Sequence, residues 1–244
     1  MTAQNKAWNI LLFVSLFFLI VLPLQDYYSE TSPGYFSKLA QLLPSGIAYT
    51  ALVTFCGSIT AIAVGLMVGL GKLSKNQAIV TSTSLYTEVL RGIPLLVLLF
   101  YVYYALGEFV KIPALGAAIL SFGLCYGAYM ADVFRAGIEA IPPEQLEAAR
   151  SLGMNYKQAM RKIVLPQAMR TIVPAVGNQT LGMLKDTSLV SVLAISDILR
   201  IGNEFASKHF NYFETYTFVA LTYLFLTLIM ARLLKVLEDR FTLN

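Results

Sequence analysis

Uncharged apolar runs recur along this chain at lengths that match a lipid bilayer, and they restrict its fold more than any other feature. About 20 helical residues cross the ~30 Å hydrocarbon layer. Candidate stretches fall at 7–24, 39–71, 85–106, 113–131, 171–195 and 213–234, the second reading as a helix from about Ile47. The third carries Glu88 and Arg91 near its start, and the fifth is interrupted by Lys185 and Asp186. A soluble core of this length has no room for so much apolar surface, since 57% of the 244 residues are hydrophobic and only 13% charged. The expected fold class is an all-α polytopic membrane protein with about six transmembrane helices.

Basic residues sit between the apolar runs, so the net charge of +4 speaks for topology rather than for nucleic acid. Lys6, Lys72, Lys75, Arg91, the loop 132–170 and the C-terminal tail hold 13 of the 18 Lys and Arg. The positive-inside rule puts that face, with both termini, in the cytoplasm. Lys38, Lys111, Arg200 and Lys208 fall on the opposite face. The first run ends Pro23-Leu24-Gln25-Asp26-Tyr27-Tyr28, which offers no small-residue cleavage site, so 7–24 reads as a retained helix rather than a signal peptide. Residues 26–44, rich in Tyr, Ser and Pro, then form an external loop, with a short interfacial helix within it as the alternative. Cys56 and Cys125 both lie in apolar runs and imply neither a disulfide framework nor a metal site.

The segment 138–166 reads IEAIPPEQLEAARSLGMNYKQAMRKIVLP. Pro142 and Pro143 stop what precedes them and suit the first turn of a new helix. Glu144 and Glu147 favour the positive end of its dipole. Gly153 can take the left-handed conformation that ends a helix. Asn155 with Gln158 has the spacing of a capping box for a second helix through Lys157, Arg161 and Lys162, which Pro166 bends or ends. Two short helices joined at a glycine follow. Small Ala148 and Ala149 allow another protein to approach closely, which makes the loop a docking surface; a solvated connector between two spans is the alternative.

These residues carry a resemblance. Glu147-Ala148-Ala149, then Gly153 after three intervening residues, then Ile163, Leu165 and Pro166 resemble the EAA motif of ABC importer permeases. The similarity extends over about 43–241 and is to the polar amino acid group of the histidine/glutamine/arginine type. It includes 43–74, EVLRGIPLL at 88–96, AYMADVFRAGI at 128–138, KDTSL at 185–189 and FETY at 213–216. Departures are mild: Asp132 where Glu is frequent, Ala136 for Gly, and Ile93 for Thr. The resemblance implies a five-helix core at 43–241 containing a coupling loop at 135–170, with 1–42 as an added N-terminal helix and external loop. It implies ATPase coupling through Glu147, Ala148, Ala149, Gly153, Leu165 and Pro166. It also implies two ABC ATPase subunits carrying ATP and Mg, an extracytoplasmic amino acid-binding protein, and a second permease copy or homologue. The location would be the bacterial cytoplasmic membrane and the cargo polar amino acids, with another small polar solute as the alternative.

Charges within spans tend to face a bundle interior or a wet cavity. Lys185, Asp186, Thr187 and Ser188 are candidates for lining the substrate pathway, because one ammonium and one carboxylate match the ends of a zwitterion; an internal ion pair is the competing reading. Asn178 and Gln179 extend that stripe if the helix is continuous, or act as polar contacts between helices. Glu88 with Arg91, and Asp132 with Arg135, stand three apart and read as local salt bridges, a gate contribution being the alternative for the first pair. Pro94 begins or kinks its helix. His209 reads as a surface residue. Tyr101, Tyr103, Tyr104, Tyr126 and Tyr129 are pathway or packing aromatics.

Enzymes and passive channels fit poorly. The chain has no Gly-x-x-x-x-Gly-Lys-Ser/Thr; Gly69-Leu70-Gly71-Lys72 has neither the spacing nor the hydroxyl. One histidine leaves no plausible Ser/His/Asp constellation. ATP hydrolysis is therefore expected on another chain, with no cofactor here. A channel would have no use for a docking helix.

Overall fold

The computed structural model describes residues 3–28 and 34–242. They form ten α-helices: α1 (Ala3–Tyr28), α2 (Tyr35–Lys72), α3 (Gln77–Gly92), α4 (Leu95–Phe100), α5 (Ala114–Glu139), α6 (Pro143–Ser151), α7 (Tyr156–Ala159), α8 (Leu165–Asp186), α9 (Ile198–His209) and α10 (Tyr212–Thr242). Among the described residues there is no strand. By length and composition α2, α5 and α10 can each cross a membrane, and the pair Gln77–Gly92 and Leu95–Glu108, bent by 100°, is either a fourth, broken span or a re-entrant loop. The other two expected spans are helical, with different limits. Trp8–Leu24 of α1 is apolar over a shorter stretch. Helix α8 carries Arg170, Asn178, Gln179, Lys185 and Asp186, too polar a set to face lipid all round.

The bend follows from sequence. Pro94 forces the preceding residue out of the helical region, and Ile93 is extended at φ −95°, ψ 126°. The expectation of a kink or start at Pro94 therefore holds. Three boundaries differ from expectation. Helix α2 begins at Tyr35 and runs through Pro44, so helix in the expected external loop is continuous with the span rather than a separate interfacial piece. Burial of Leu39 and Leu43, about 2 kcal/mol each, offsets the ~3 kcal/mol cost of an interior proline. Helix α5 runs past 131 to Glu139, so the following loop is shorter. And α7 is not a separate helix: a π-helical turn, Met160–Val164, carries it directly into α8.

The chain divides into two compact units, Met1–Phe55 with Leu184–Leu233 and Cys56–Met183 with Leu234–Asn244. In the first, Leu39 and Leu43 of α2 pack with Ile198, Ile201 and Phe205 of α9 and Phe218 and Val219 of α10. Asp197, fully buried, caps α9 by accepting from the Leu199 and Arg200 amides, and Tyr223 Oη donates to it at 3.1 Å. Burial pushes this carboxyl above its ordinary range, against the pull of those hydrogen bonds.

In the second unit α5 is central: 61% of its most apolar stretch is buried, against 33% for α2. The two helices meet at small residues spaced four apart, Gly65 and Gly69 on α2 and Gly123, Gly127 and Ala131 on α5. A Cβ at Gly65 would stand 2.6 Å from Met130 Cβ, and one at Gly123 2.5 Å from Thr60 Cγ2. Only residues without a side chain let these backbones come so close. Large apolar side chains such as Leu66 and Met67 point outward, as a lipid-facing surface requires.

Candidate functional site: an exposed short helix and a charged cleft

Helix α6 starts as the prolines dictate. Pro142 is its N-cap and Pro143 occupies the first turn with Glu144, while Arg150 sits in the last turn, so both charges complement the helix dipole. Its C-terminus closes as a Schellman motif. Gly153 N donates to Arg150 O at 2.9 Å and Met154 N to Ala149 O at 3.2 Å. This geometry needs a left-handed residue, and Gly153 has φ +82°. The Asn155–Gln158 capping box is present, with both bonds at 2.9 Å.

The expected coupling residues divide by exposure. Glu147, Ala148, Gly153 and Pro166 are exposed, Leu165 is half-buried, and Ala149 is buried. Helix α6 packs on α7 and on the π turn. Two residues not singled out in the sequence add to the outward surface: Leu152 is 81% exposed and Tyr156 59%. The signal for them was apolar side chains flanking a helix-ending glycine in a polar loop. The Gln167 side chain was also missed. Its Nε2 donates to Ile163 O at 3.0 Å, inside the π turn, and reaches Gln145 Oε1 on α6 at 3.4 Å.

A cleft of about 570 Å³ lies in the same unit. Its polar wall is Arg91, Tyr129, Asp132, Thr171 and Gln179. Both expected i, i+3 pairs are replaced here. Arg91 Nη1 bonds Asp132 Oδ2 at 2.6 Å instead of Glu88, and Lys72 Nζ takes Asp132 Oδ1 at 2.7 Å. Arg135 pairs with Glu139, at 3.6 Å, rather than with Asp132. An exposed same-helix pair contributes only about 0.2–0.5 kcal/mol. Asp132 bound by cations from two other helices forms stronger, charge-assisted bonds. The Arg91 guanidinium also lies 5.3 Å from the Tyr129 ring centre, a cation–π contact.

The pathway candidates are thus distributed over both units. Arg91 and Gln179 share the cleft, while Glu88 and Asn178 are exposed. Helix α8 is unbroken through Asp186, so Asn178 and Lys185 do share a face. Lys185 and Asp186 are exposed, and the α-helix gives way to a 3-10 segment at Thr187. Thr187 is buried and donates to Leu184 O, and half-buried Ser188 donates to Lys185 O. Thr187 therefore closes the helix end rather than presenting its hydroxyl. His209 is not a plain surface residue: its half-buried ring lies tilted 4.2 Å from the Phe205 ring and edge-on 5.6 Å from that of Tyr35. Tyr126 is buried against Phe122, and Tyr101 and Tyr104 are exposed.

Known proteins resemble this chain over most of its length. Residues 61–243 match the family of binding-protein-dependent transport system inner membrane components. The chain is 40% identical over 210 residues to the Bacillus subtilis (strain 168) "Probable amino-acid permease protein YxeN", covering 84% of this chain and 90% of that one. It is 31% identical to the arginine transport system permease protein ArtQ of the same organism, covering 82% and 92%. A chain of a crystallised amino acid ABC transporter with histidines superposes with a TM-score of 0.78 at 40% identity, covering 84% of this chain and 96% of that one. Fold, apolar spans and family agree: the chain belongs to the binding-protein-dependent inner membrane components and is an ABC transporter permease subunit, with ATP hydrolysis on a separate subunit.

Proposed function

We propose that this permease imports polar amino acids and takes its drive from an ATPase that docks on α6. The observation that carries the reading is α6 itself, a short exposed helix with Ala148 outward, closed at Gly153 and bordered by exposed Leu152 and Tyr156. A helix whose C-terminus is closed by its own backbone bonds can bear a partner without refolding. Glu147, Ala148, Ala149, Gly153, Leu165 and Pro166 form or support this coupling surface. The amino acid named in the relatives supports the cargo class.

In this reading two ATPase subunits bind ATP and Mg, and an extracytoplasmic binding protein delivers substrate. A second permease copy or homologue completes the pathway. Both termini and α6 face the cytoplasm, in line with the distribution of Lys and Arg. The permease core runs to 241, and its start moves from the expected residue 43 back to the beginning of α2 at Tyr35, with α1 an N-terminal addition. Arg91 and Gln179 in the cleft line the substrate route, with Lys185, Asp186, Ser188, Asn178 and Glu88 as further polar contacts along it.

The test is ATP hydrolysis by the reconstituted complex with its binding protein, across a panel of amino acids. Stimulation by one or a few polar amino acids is expected. Stimulation only by a solute of another class would overturn the cargo assignment.

A further inference from the structure

We propose that Gln167 and the π turn Met160–Val164 form the joint through which α6 moves α8, a role that rests on reading α6 as the docking helix. The helical run from Tyr156 to Asp186 starts just beyond Gly153, and the π turn is its one departure from α geometry. In the turn Leu165 N donates five residues back, to Met160 O. Such a turn holds one residue more than an α-helical turn and is a local point of adjustment. Pro166 fixes it in place. A proline has no N–H for the carbonyl four residues earlier, and its ring crowds that carbonyl; widening the preceding turn relieves the clash.

Gln167 ties this turn to α6. Its amide has two donor hydrogens. Nε2 bonds Ile163 O within the turn and Gln145 Oε1 in the first part of α6. At 3.4 Å the second bond is at the long end of hydrogen bonding. A shift of α6 by about 1 Å therefore breaks or tightens it. Helix α6 packs on the turn and on α7, and Ala149, Ala159 and Val164 of these elements, with Ala168 of α8, are all buried. Such contacts transmit displacement rather than absorbing it.

Helix α8 carries the displacement onward. Thr171, Ala175 and Gln179, four apart on one face, all line the Arg91–Asp132 cleft. The strap thus has two states, bonded and broken, and the position of α6 selects between them.

The experiment compares wild type with Gln167→Leu, Gln145→Leu, Gln145→Glu and the double variant Q145L/Q167L. Each complex is reconstituted with its ATPase and binding protein, and uptake per ATP hydrolysed is read with the amino acid chosen by the stimulation screen. Gln167→Leu and Gln145→Leu are each expected to lower uptake per ATP about five- to tenfold. Gln145→Glu, which keeps the acceptor, should stay within about twofold, and the double variant should be no worse than either single change. Unchanged ratios, additive losses, or losses that follow thermal stability or ATPase retention instead overturn the joint. Gly153→Val in parallel separates the two readings. If it leaves uptake and ATPase retention at wild-type levels, the docking reading fails. If it abolishes uptake while both Gln→Leu variants match wild type, only the joint falls.

Discussion

The loop around α6 and the α2–α5 contact both depend on glycine, and they depend on it for opposite reasons. At Gly153 there is open space where a side chain would go, but the backbone is left-handed. At Gly65 and Gly123 the backbone is ordinary helix, but a Cβ would collide with Met130 or Thr60. The first glycine sets a local conformation that its own neighbours complete. The second sets how near two distant segments can approach. A site that presents a surface and a framework that holds it rigid thus use one residue type through separate physics.

Substitutions can break or sharpen this contrast. The largest effect is expected from Gly65→Val, which overpacks a close helix crossing and costs about 3 kcal/mol. The melting temperature of the purified protein should fall well below wild type, and recovery from the membrane should fall with it. Gly153→Val comes next, and its effect should be of another kind. The left-handed conformation costs a β-branched residue about 1–2 kcal/mol locally, so α6 loses its C-terminus while the membrane-embedded fold persists. Uptake should be abolished with melting little changed, and Gly153→Asn, which tolerates that conformation, should retain most uptake.

Asp132→Asn is intermediate. It removes the carboxylate shared by Lys72 and Arg91 and strands Lys72, whose side chain is only 10% exposed. A loss of about 2 kcal/mol is expected in thermal or denaturant unfolding. Glu139→Gln should be close to silent, below ~0.5 kcal/mol, since its pair with Arg135 is exposed and 3.6 Å long. A larger cost at Glu139 than at Asp132 would contradict the assignment of the shared carboxylate.

The same contrast explains what could be read from the sequence. Signals acting over a few residues were legible: the prolines starting α6, the Asn155–Gln158 box, the glycine closing α6, and the break at Ile93–Pro94. Partners far apart in the chain were not. Asp132 reaches cations 41 and 60 residues away, which spacing on its own helix cannot reveal. The small residues four apart on α2 and α5 were not singled out, because only the fold pairs them. The π turn before Pro166 was hidden for a related reason: the proline signals a break, and a side chain from Gln167 together with packing on α6 keeps the helix continuous through it.

The central claim is that α6 carries the ATPase, and the most direct measurement is a photocrosslinker at Ala148 in the reconstituted complex. Ala148 is exposed on α6 and its replacement disturbs no buried contact. A crosslink to the ATPase subunit is expected, with a yield that changes when ATP binds, and none from a control site such as Phe109, which is 83% exposed elsewhere in the same unit. Equal labelling from both positions, or none from Ala148 in a complex that hydrolyses ATP, would contradict the account.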